Sequence, residues 1–260
     1  MEIVPLSKNH EKWIRRLHQK KYRDEEGIFI AEGLNSFESA MKMTFHAVKE
    51  VVIEQSIAES VLGTLPDNLP VYSCSKKTME AVSTEEHPQG IIILCYQKNF
   101  SLTDFEHDAP GETLLYLENI SDPGNLGTII RTAAWFGIGE ILISPSSVDP
   151  FNTKVIRASA GTIFSRKIYT TVESDELLRI ARQHAYSLIA TVPRDGIAIG
   201  NWQSTGKKII LFGPEAQGLS KGLLEKAHHR ISIPGRGDAE SLNLAAAAAI
   251  ILYEISTREP

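Results

Sequence analysis

The sequence predicts an α/β protein of two domains, and three observations carry that expectation. Short apolar runs alternate with segments of helical periodicity along most of the chain. At 260 residues the chain exceeds a typical single domain, and two domains of roughly 100 and 150 residues suit it better than one. The stretch "NFSLTDFEHDAPGE" has no Lys or Arg, carries several carboxylates and reaches Pro-Gly near its end, which reads as a linker. The expected division is a small α/β domain over 1–100, a linker over 101–112 and a larger α/β domain with a parallel sheet over 113–260.

Taken in order, "NHEKWIRRLHQKKYR" places Trp13, Ile14 and Leu17 at helical spacing, with Asn9 as N-cap and basic side chains on the remaining faces, which predicts a short basic helix. Helices are also expected at "LNSFESAMKM" and around "SIAESVL" and "KKTMEAVS", and strands at "VKEVVIE", "VYSCS" and "GIIILCYQ". Beyond the linker, "TLLYLENI", "EILISP", "RKIYTTV", "SLIATV", "KKIILFGP" and "RISIPG" are buried-strand candidates, with helix-like stretches between most of them. That rhythm belongs to a parallel sheet covered on both faces. Sites in such sheets gather in the loops at the carboxyl ends of the strands.

Composition narrows the function classes. Hydrophobic residues at 42% and charged residues at 23% are globular averages. The longest apolar stretch, "NLAAAAAIILYEI", is too short for a bilayer span, and "MEIVPLSKNHEKW" lacks the apolar core of a signal peptide. A soluble cytoplasmic protein is expected, without a membrane partner. Cys74 and Cys95 each fall in a strand without a CxxC or Cys/His cluster, as reduced core residues do. His87, His107, His228 and His229 lack partners at metal-ligand spacing, so no metal site is expected. There is no GxGxxG, GxxxxGK[ST] or GxSxG, which argues against a dinucleotide enzyme, a P-loop enzyme and an esterase-type hydrolase.

Charge is unevenly spread. The whole chain carries −5, yet between Met1 and Arg23 seven basic residues (Lys8, Lys12, Arg15, Arg16, Lys20, Lys21 and Arg23) face only Glu2 and Glu11. A solvated helix face and a contact with nucleic-acid phosphates both fit such a segment.

Three loops are chemically unusual. In "NISDPGNLGTIIRTA", Asp122-Pro123-Gly124-Asn125 suits a type II turn, with Asn125 then capping the following helix. Arg131 would sit above Gly127 and Thr128, apart from an apolar face of Ile130, Ala133, Ala134 and Gly137. Side chains lean toward a helix N-terminus, so its guanidinium is placed either in solvent or at an anion site over the turn. In "GPEAQGLS", Gly213 and Gly218 bracket a tight turn whose one charge is Glu215. In "IPGRGDAESLNL", Ser241 can cap the last helix, which leaves Asn243 as a polar residue in its first turn.

Asn119 to Ala133, Gly213 to Leu219 and Ile231 to Ala245 together resemble, in order and spacing, the three motifs of the SpoU or TrmH-type RNA ribose 2′-O-methyltransferases of the SPOUT superfamily. "TKVIRASAGTIF" is similar to the family's segment between the first two motifs, and the N-terminal part, with "HPQGIIILC", to the ribosomal-protein-like substrate-binding domain that many members carry. The resemblance implies a deep trefoil knot in the C-terminal domain, S-adenosyl-L-methionine as cofactor and a homodimer. It implies cofactor contacts around Leu211, Gly213, Gly218, Ile233, Leu242 and Ala245, and catalytic positions at Asn125, Arg131, Glu215, Ser241 and Asn243. Arg131 is then the residue at the ribose, as base or as phosphate anchor; the planar guanidinium fork makes the second role at least as defensible as the first. Lys12, Arg15, Arg16, Lys20, Lys21 and Arg23 would meet RNA, ribosomal RNA before transfer RNA. The competing reading is a non-catalytic RNA-binding or ribosome-assembly factor that keeps the fold.

Overall fold

The apolar runs of the N-terminal part become a five-stranded sheet in the computed structural model, which describes residues 3–42, 47–107, 110–203 and 206–258. Its strands are β1 (Ile3–Pro5), β2 (Ile28–Glu32), β3 (Val48–Glu54), β4 (Val71–Cys74) and β5 (Ile91–Tyr96), in the order β1-β4-β3-β5-β2. β1, β4 and β3 run parallel, and β5 pairs antiparallel with both β3 and β2. The connecting helices are α1 (Lys8–Arg16), α2 (Lys20–Glu26), α3 (Leu34–Lys42), α4 (Ala58–Leu62) and α5 (Lys76–Val82). The basic segment is thus two helices rather than one. Ser7, not Asn9, caps the first by accepting from the His10 amide at 3.2 Å; Asn9 lies inside the first turn, where a capping side chain has no exposed amide ahead of it.

The second sheet holds β6 (Thr113–Leu117), β7 (Glu140–Ile143), β8 (Lys167–Tyr169), β9 (Ser187–Thr191), β10 (Ile197–Ala198), β11 (Lys208–Phe212) and β12 (His229–Ser232). All pairs are parallel, in the order β10-β12-β9-β11-β6-β7-β8. The remaining helices are α6 (Leu102–His107), α7 (Pro123–Trp135), α8 (Thr153–Ala158), α9 (Ser174–Gln183), α10 (Lys221–Lys226) and α11 (Leu244–Ser256). The expected linker over 101–112 contains α6, whose Phe105 is fully buried and meets Tyr169 edge-on; one aromatic anchor outweighs the loop-like composition around it. Residues 108–109 of that linker lie outside the described residues.

Contacts divide the chain into two compact units, Met1–Lys98 with Asp149–Ser165, and Asn99–Val148 with Arg166–Pro260. The sequence reading places 149–165 in the C-terminal domain; the structure groups it with the N-terminal unit. Three contacts explain why. The Phe151 and Phe164 rings lie 5.0 and 5.8 Å from Phe29. Arg23 donates to Asp149 at 2.6 Å. Gly161, at φ +83°, fits against Ser39 and Asn35 so closely that a Cβ would fall 2.4 Å from the Ser39 hydroxyl oxygen.

Cys74 and Cys95 are buried and unbonded to each other, and burial pushes the Cys74 thiol up to about 11 and raises that of Cys95 as well. Among the described residues no helix is long and apolar enough to cross a membrane, and no cluster of His, Cys, Asp and Glu could hold a metal ion.

In the C-terminal unit the chain runs outward from β6 to β7 and β8, then returns to place β11 between β9 and β6. Strand order reverses between β6 and β11, the kind of switch point where α/β sheets open a crevice. Leu117 pairs with Phe212 in register, so the loops after these strands start side by side.

Candidate active site

The loop after β6 is shaped by its own backbone chemistry. Asn119 adopts φ +53°, a left-handed conformation that Asn tolerates better than most residues. It is held there because the Asn119 amide donates to Ser144 Oγ at 2.8 Å and the Ile120 amide to Ser147 Oγ at 3.0 Å. Asp122, not Asn125, then caps α7 by accepting from the Asn125 amide at 2.7 Å. The expected type II turn does not form: Pro123 is the first helical residue, where its fixed φ suits the helix and its missing N–H costs nothing. Gly124 does not use a positive φ; a Cβ there would crowd the capping oxygen, at 3.0 Å from Asp122 Oδ1. Gly137, at φ +74°, lies just beyond α7 instead of joining its apolar face.

Freed from capping, the Asn125 side chain faces the other loops. Its Nδ2 donates to Glu215 Oε1 at 3.2 Å. Asn243 Nδ2 donates to Asn125 Oδ1 and to Glu215 Oε1, both at 2.9 Å, and the Leu244 amide reaches the same Glu215 oxygen at 2.8 Å. Asn243, not Ser241, is the N-cap of α11, accepting through Oδ1 from the Ala245 and Ala246 amides at 3.0 and 3.2 Å. One amide therefore does two jobs, with its oxygen on the helix and its nitrogen on the site. Glu215 Oε2 keeps no hydrogen-bond partner among the described residues, which leaves one carboxylate oxygen for a ligand.

Beside this network lies a cavity of about 810 Å³, walled by the loops after β9, β11 and β12, within the roughly 300–1,000 Å³ usual for small-molecule sites. Gly213, Glu215, Gly218, Ile233, Ser241 and Leu242 line it. Gly213 is the tightest point: a Cβ there would meet Gly218 C and the Leu219 amide nitrogen at 2.5 Å. Gly218 sits at φ +65° and donates its amide to the Pro214 carbonyl at 2.8 Å.

Two of the expected cofactor positions lie off the cavity wall. Leu211 is fully buried inside β11, where its carbonyl accepts from Thr191 Oγ1 at 2.8 Å, and Ala245 is turned into the packing of α11; neither lines the cavity. The wall also includes Thr191 at the end of β9 and Val192 to Arg194 after it. That segment has no unusual composition, and its place beside β11 follows only from the strand order.

Arg131 stands apart. It is exposed on α7 and makes no hydrogen bond or ion pair with the described residues. It lies six positions after Asn125, about 9 Å along the helix axis, and Asn125 holds Glu215 and Asn243 rather than Arg131.

The basic N-terminal segment splits as well. Lys12 and Arg15 are exposed, Arg16 stacks on the Tyr22 ring at 4.1 Å, and Lys20 and Lys21 pair with Asp24 and Glu25 on α2. Arg23 is 2% exposed and donates to the Leu17 and His18 carbonyls as well as to Asp149. It is a structural residue and is withdrawn from any RNA contact.

Residues 112–253 match the SpoU rRNA Methylase family, and residues 8–93 match the MRM3-like substrate binding domain. The chain is 30% identical to the 23S rRNA (guanosine(2553)-2′-O)-methyltransferase RlmP of Bacillus subtilis, covering 98% of this chain and 99% of that protein. It is 31% identical to an uncharacterised tRNA/rRNA methyltransferase of Synechocystis, covering 94% and 89%. Among solved structures, the AdoMet-bound rRNA methyltransferase of Sinorhizobium meliloti superposes with a TM-score of 0.87 at 31% identity, over 99% of this chain and 97% of that one. With the motif loops gathered at one switch point and the family matched over more than half its length, this chain belongs to the SpoU rRNA methylase family.

Proposed function

We propose that this protein transfers a methyl group from S-adenosyl-L-methionine to a ribose 2′-hydroxyl of ribosomal RNA, working in the cytoplasm as a homodimer. The observation that carries the reading is the convergence of Asn125, Glu215 and Asn243 at the rim of a cavity walled by glycine-rich backbone. The residues present fit the cofactor. The close approach at Gly213 opens backbone to a ligand, and the carboxylate of Glu215 in the wall complements a cationic sulfonium. When bound, the cofactor supplies an electrophilic methyl group.

The chain's own residues supply placement. Asn125 and Asn243 present Glu215 in one orientation, so that its free Oε2 meets a ribose in a fixed geometry, and such positioning is where much of a transfer enzyme's rate originates. Ser241 adds a hydroxyl to the same wall. Arg131 anchors an RNA phosphate next to the target ribose, the role that suits a planar fork of hydrogen-bond donors. The exposed Lys12, Arg15 and Arg16, with the paired Lys20 and Lys21, line a second RNA contact on the N-terminal unit.

The homodimer is supported by an apolar face. α7 packs on α11, and on these two helices Trp135 is 84% exposed and Tyr253 56% exposed, with Ile250, about one turn before Tyr253, at 39%. So much apolar surface on adjoining helices marks an association site. Arg131 is one helical turn from Trp135 and shares its face; a second copy covering Trp135 brings Arg131 to the interface. The trefoil knot stays with the family resemblance, and the backbone contact of Gly213 with Gly218 and Leu219 is compatible with its tight packing.

The test is methyl transfer from labelled cofactor to ribosomal RNA by the purified protein. Incorporation at one ribose by the native chain is expected. RNA binding without any incorporation would favour a non-catalytic assembly factor.

A further inference from the structure

Glu118 is a buried charge that neither the motif comparison nor the site described above accounts for. It follows β6, whose five residues are all buried, and is itself 7% exposed. A leucine would extend the apolar run and fill the position at no electrostatic cost, whereas a carboxylate at this depth is costly unless hydrogen bonds hold it. Its Oε2 accepts the Ser220 amide at 2.7 Å, and its own amide donates to the Phe212 carbonyl at 2.8 Å. Glu118 therefore touches both ends of one segment: Phe212, where the loop after β11 begins, and Ser220, where it ends.

That segment, Gly213 to Leu219, forms one wall of the cavity and carries Glu215. Gly213 rests against Gly218 and Leu219 without room for a Cβ, which brings the loop's two ends together. Ser220 precedes α10 as its N-cap, but its side chain makes no capping bond. The Ser220 amide, ahead of the helical ladder and without a partner in it, donates to the carboxylate, and the bond fixes where the loop stops.

We infer that Glu118 is a positioning residue for methyl transfer: by holding the Ser220 amide it sets the shape of the Gly213–Leu219 wall and the place from which Glu215 reaches Asn125 and Asn243. This rests on the reading of the cavity as the S-adenosylmethionine site. Glu118 touches no reacting atom; it acts through the loop.

The experiment is calorimetric titration of the full-length protein with S-adenosylhomocysteine, comparing the native chain with Glu118→Gln, Glu118→Ala, Ser220→Pro and the double variant Glu118→Ala/Ser220→Pro. Ser220 has φ −57°, within proline's range, and proline replaces the amide hydrogen facing Glu118 with a ring carbon, which both removes the donor and pushes the carboxylate away. Loss of a charge-assisted hydrogen bond should weaken binding about tenfold in each of Glu118→Ala and Ser220→Pro, and the double variant should be no weaker than either single one. Glu118→Gln keeps an accepting oxygen and should stay within about threefold of the native chain. In methyl-transfer assays the KM for cofactor should rise before kcat falls, with melting temperatures close to the native value. Should Glu118→Ala fail to fold, Ser220→Pro carries the same comparison. Native binding with undiminished Glu118→Ala and Ser220→Pro binding overturns the inference alone, as do additive losses in the double variant or a Glu118→Gln loss equal to that of alanine. A native chain that does not bind S-adenosylhomocysteine overturns the functional reading, and this inference with it.

Discussion

Asn243 Nδ2 lies 2.9 Å from Asn125 Oδ1 although 118 positions separate them in the chain. The contact exists because Asn243 spends its oxygen on capping α11 and has both amide hydrogens left for the site. Cap and site can therefore be separated by mutation. Asp caps a helix as well as Asn does, but in Asn243→Asp an oxygen would replace the nitrogen that faces Glu215. Asn243→Asp should keep its melting temperature within a few degrees yet lose most methyl transfer. Asn243→Ala should lose activity and also about 1 kcal/mol of stability. Paired urea denaturation and turnover measurements check this; equal activity in the Asp variant and the native chain would contradict it.

Glu215 gathers three donors on one oxygen, so its removal leaves Asn125 and Asn243 without a common partner. Glu215→Gln places an amide where a carboxylate was and should reduce kcat/KM by about 10- to 100-fold, as the loss of charge-assisted hydrogen bonds implies. Steady-state kinetics with saturating RNA measures it. Because the residue is exposed, unfolding should change little.

The parallel C-terminal sheet was legible in the sequence because its strands are continuous apolar runs such as "KIILF" and "TLLYL". β1 and β10 were not, because their apolar runs, three and two residues long in the strands, are too short to read as strands. Glu215, Asn125 and Asn243 stand out as polar residues in otherwise apolar or glycine-rich stretches, and the structure joins them. The capping roles were misplaced because several neighbouring residues can cap: "SKN" offers Ser7 and Asn9, "DPGN" offers Asp122 and Asn125, and "SLN" offers Ser241 and Asn243. Only the direction of the incoming chain selects among them. Glu118 carried a readable signal, a carboxylate directly after "TLLYL", but its partner Ser220 is 102 positions away.

Gly213 tests the cavity wall by volume alone. A Cβ added there would come within 2.5 Å of backbone atoms, which cannot rotate aside. Gly213→Ala should cost about 1–3 kcal/mol of stability, in the range of overpacked sites, and abolish binding of S-adenosylhomocysteine. Gly222→Ala, with nothing within 4 Å of its would-be Cβ, should leave binding unchanged. Thermal melts with and without S-adenosylhomocysteine distinguish the two.

Arg23 and its basic neighbours should behave oppositely. Arg23→Ala leaves Asp149 without its buried partner and should destabilise the protein by about 3–5 kcal/mol, as breaking a buried pair does. Lys12→Ala with Arg15→Ala removes exposed charge only. That pair should leave the melting temperature in place, weaken RNA binding and lower the slope of log affinity against log salt by about 2. Filter binding across a salt series checks it, and an unchanged slope would contradict an RNA contact at α1.

We propose 2′-O-methyl transfer to ribosomal RNA, with Arg131 anchoring the phosphate beside the target ribose. Its most direct test is site-resolved mapping of ribose methylation in total RNA from cells lacking the protein, complemented with either the native chain or Arg131→Ala. One ribosomal RNA position should lose its methyl group, regain it with the native chain and stay unmethylated with the variant. A map identical in all strains would contradict the assigned activity, and full restoration by Arg131→Ala would contradict the place given to that arginine.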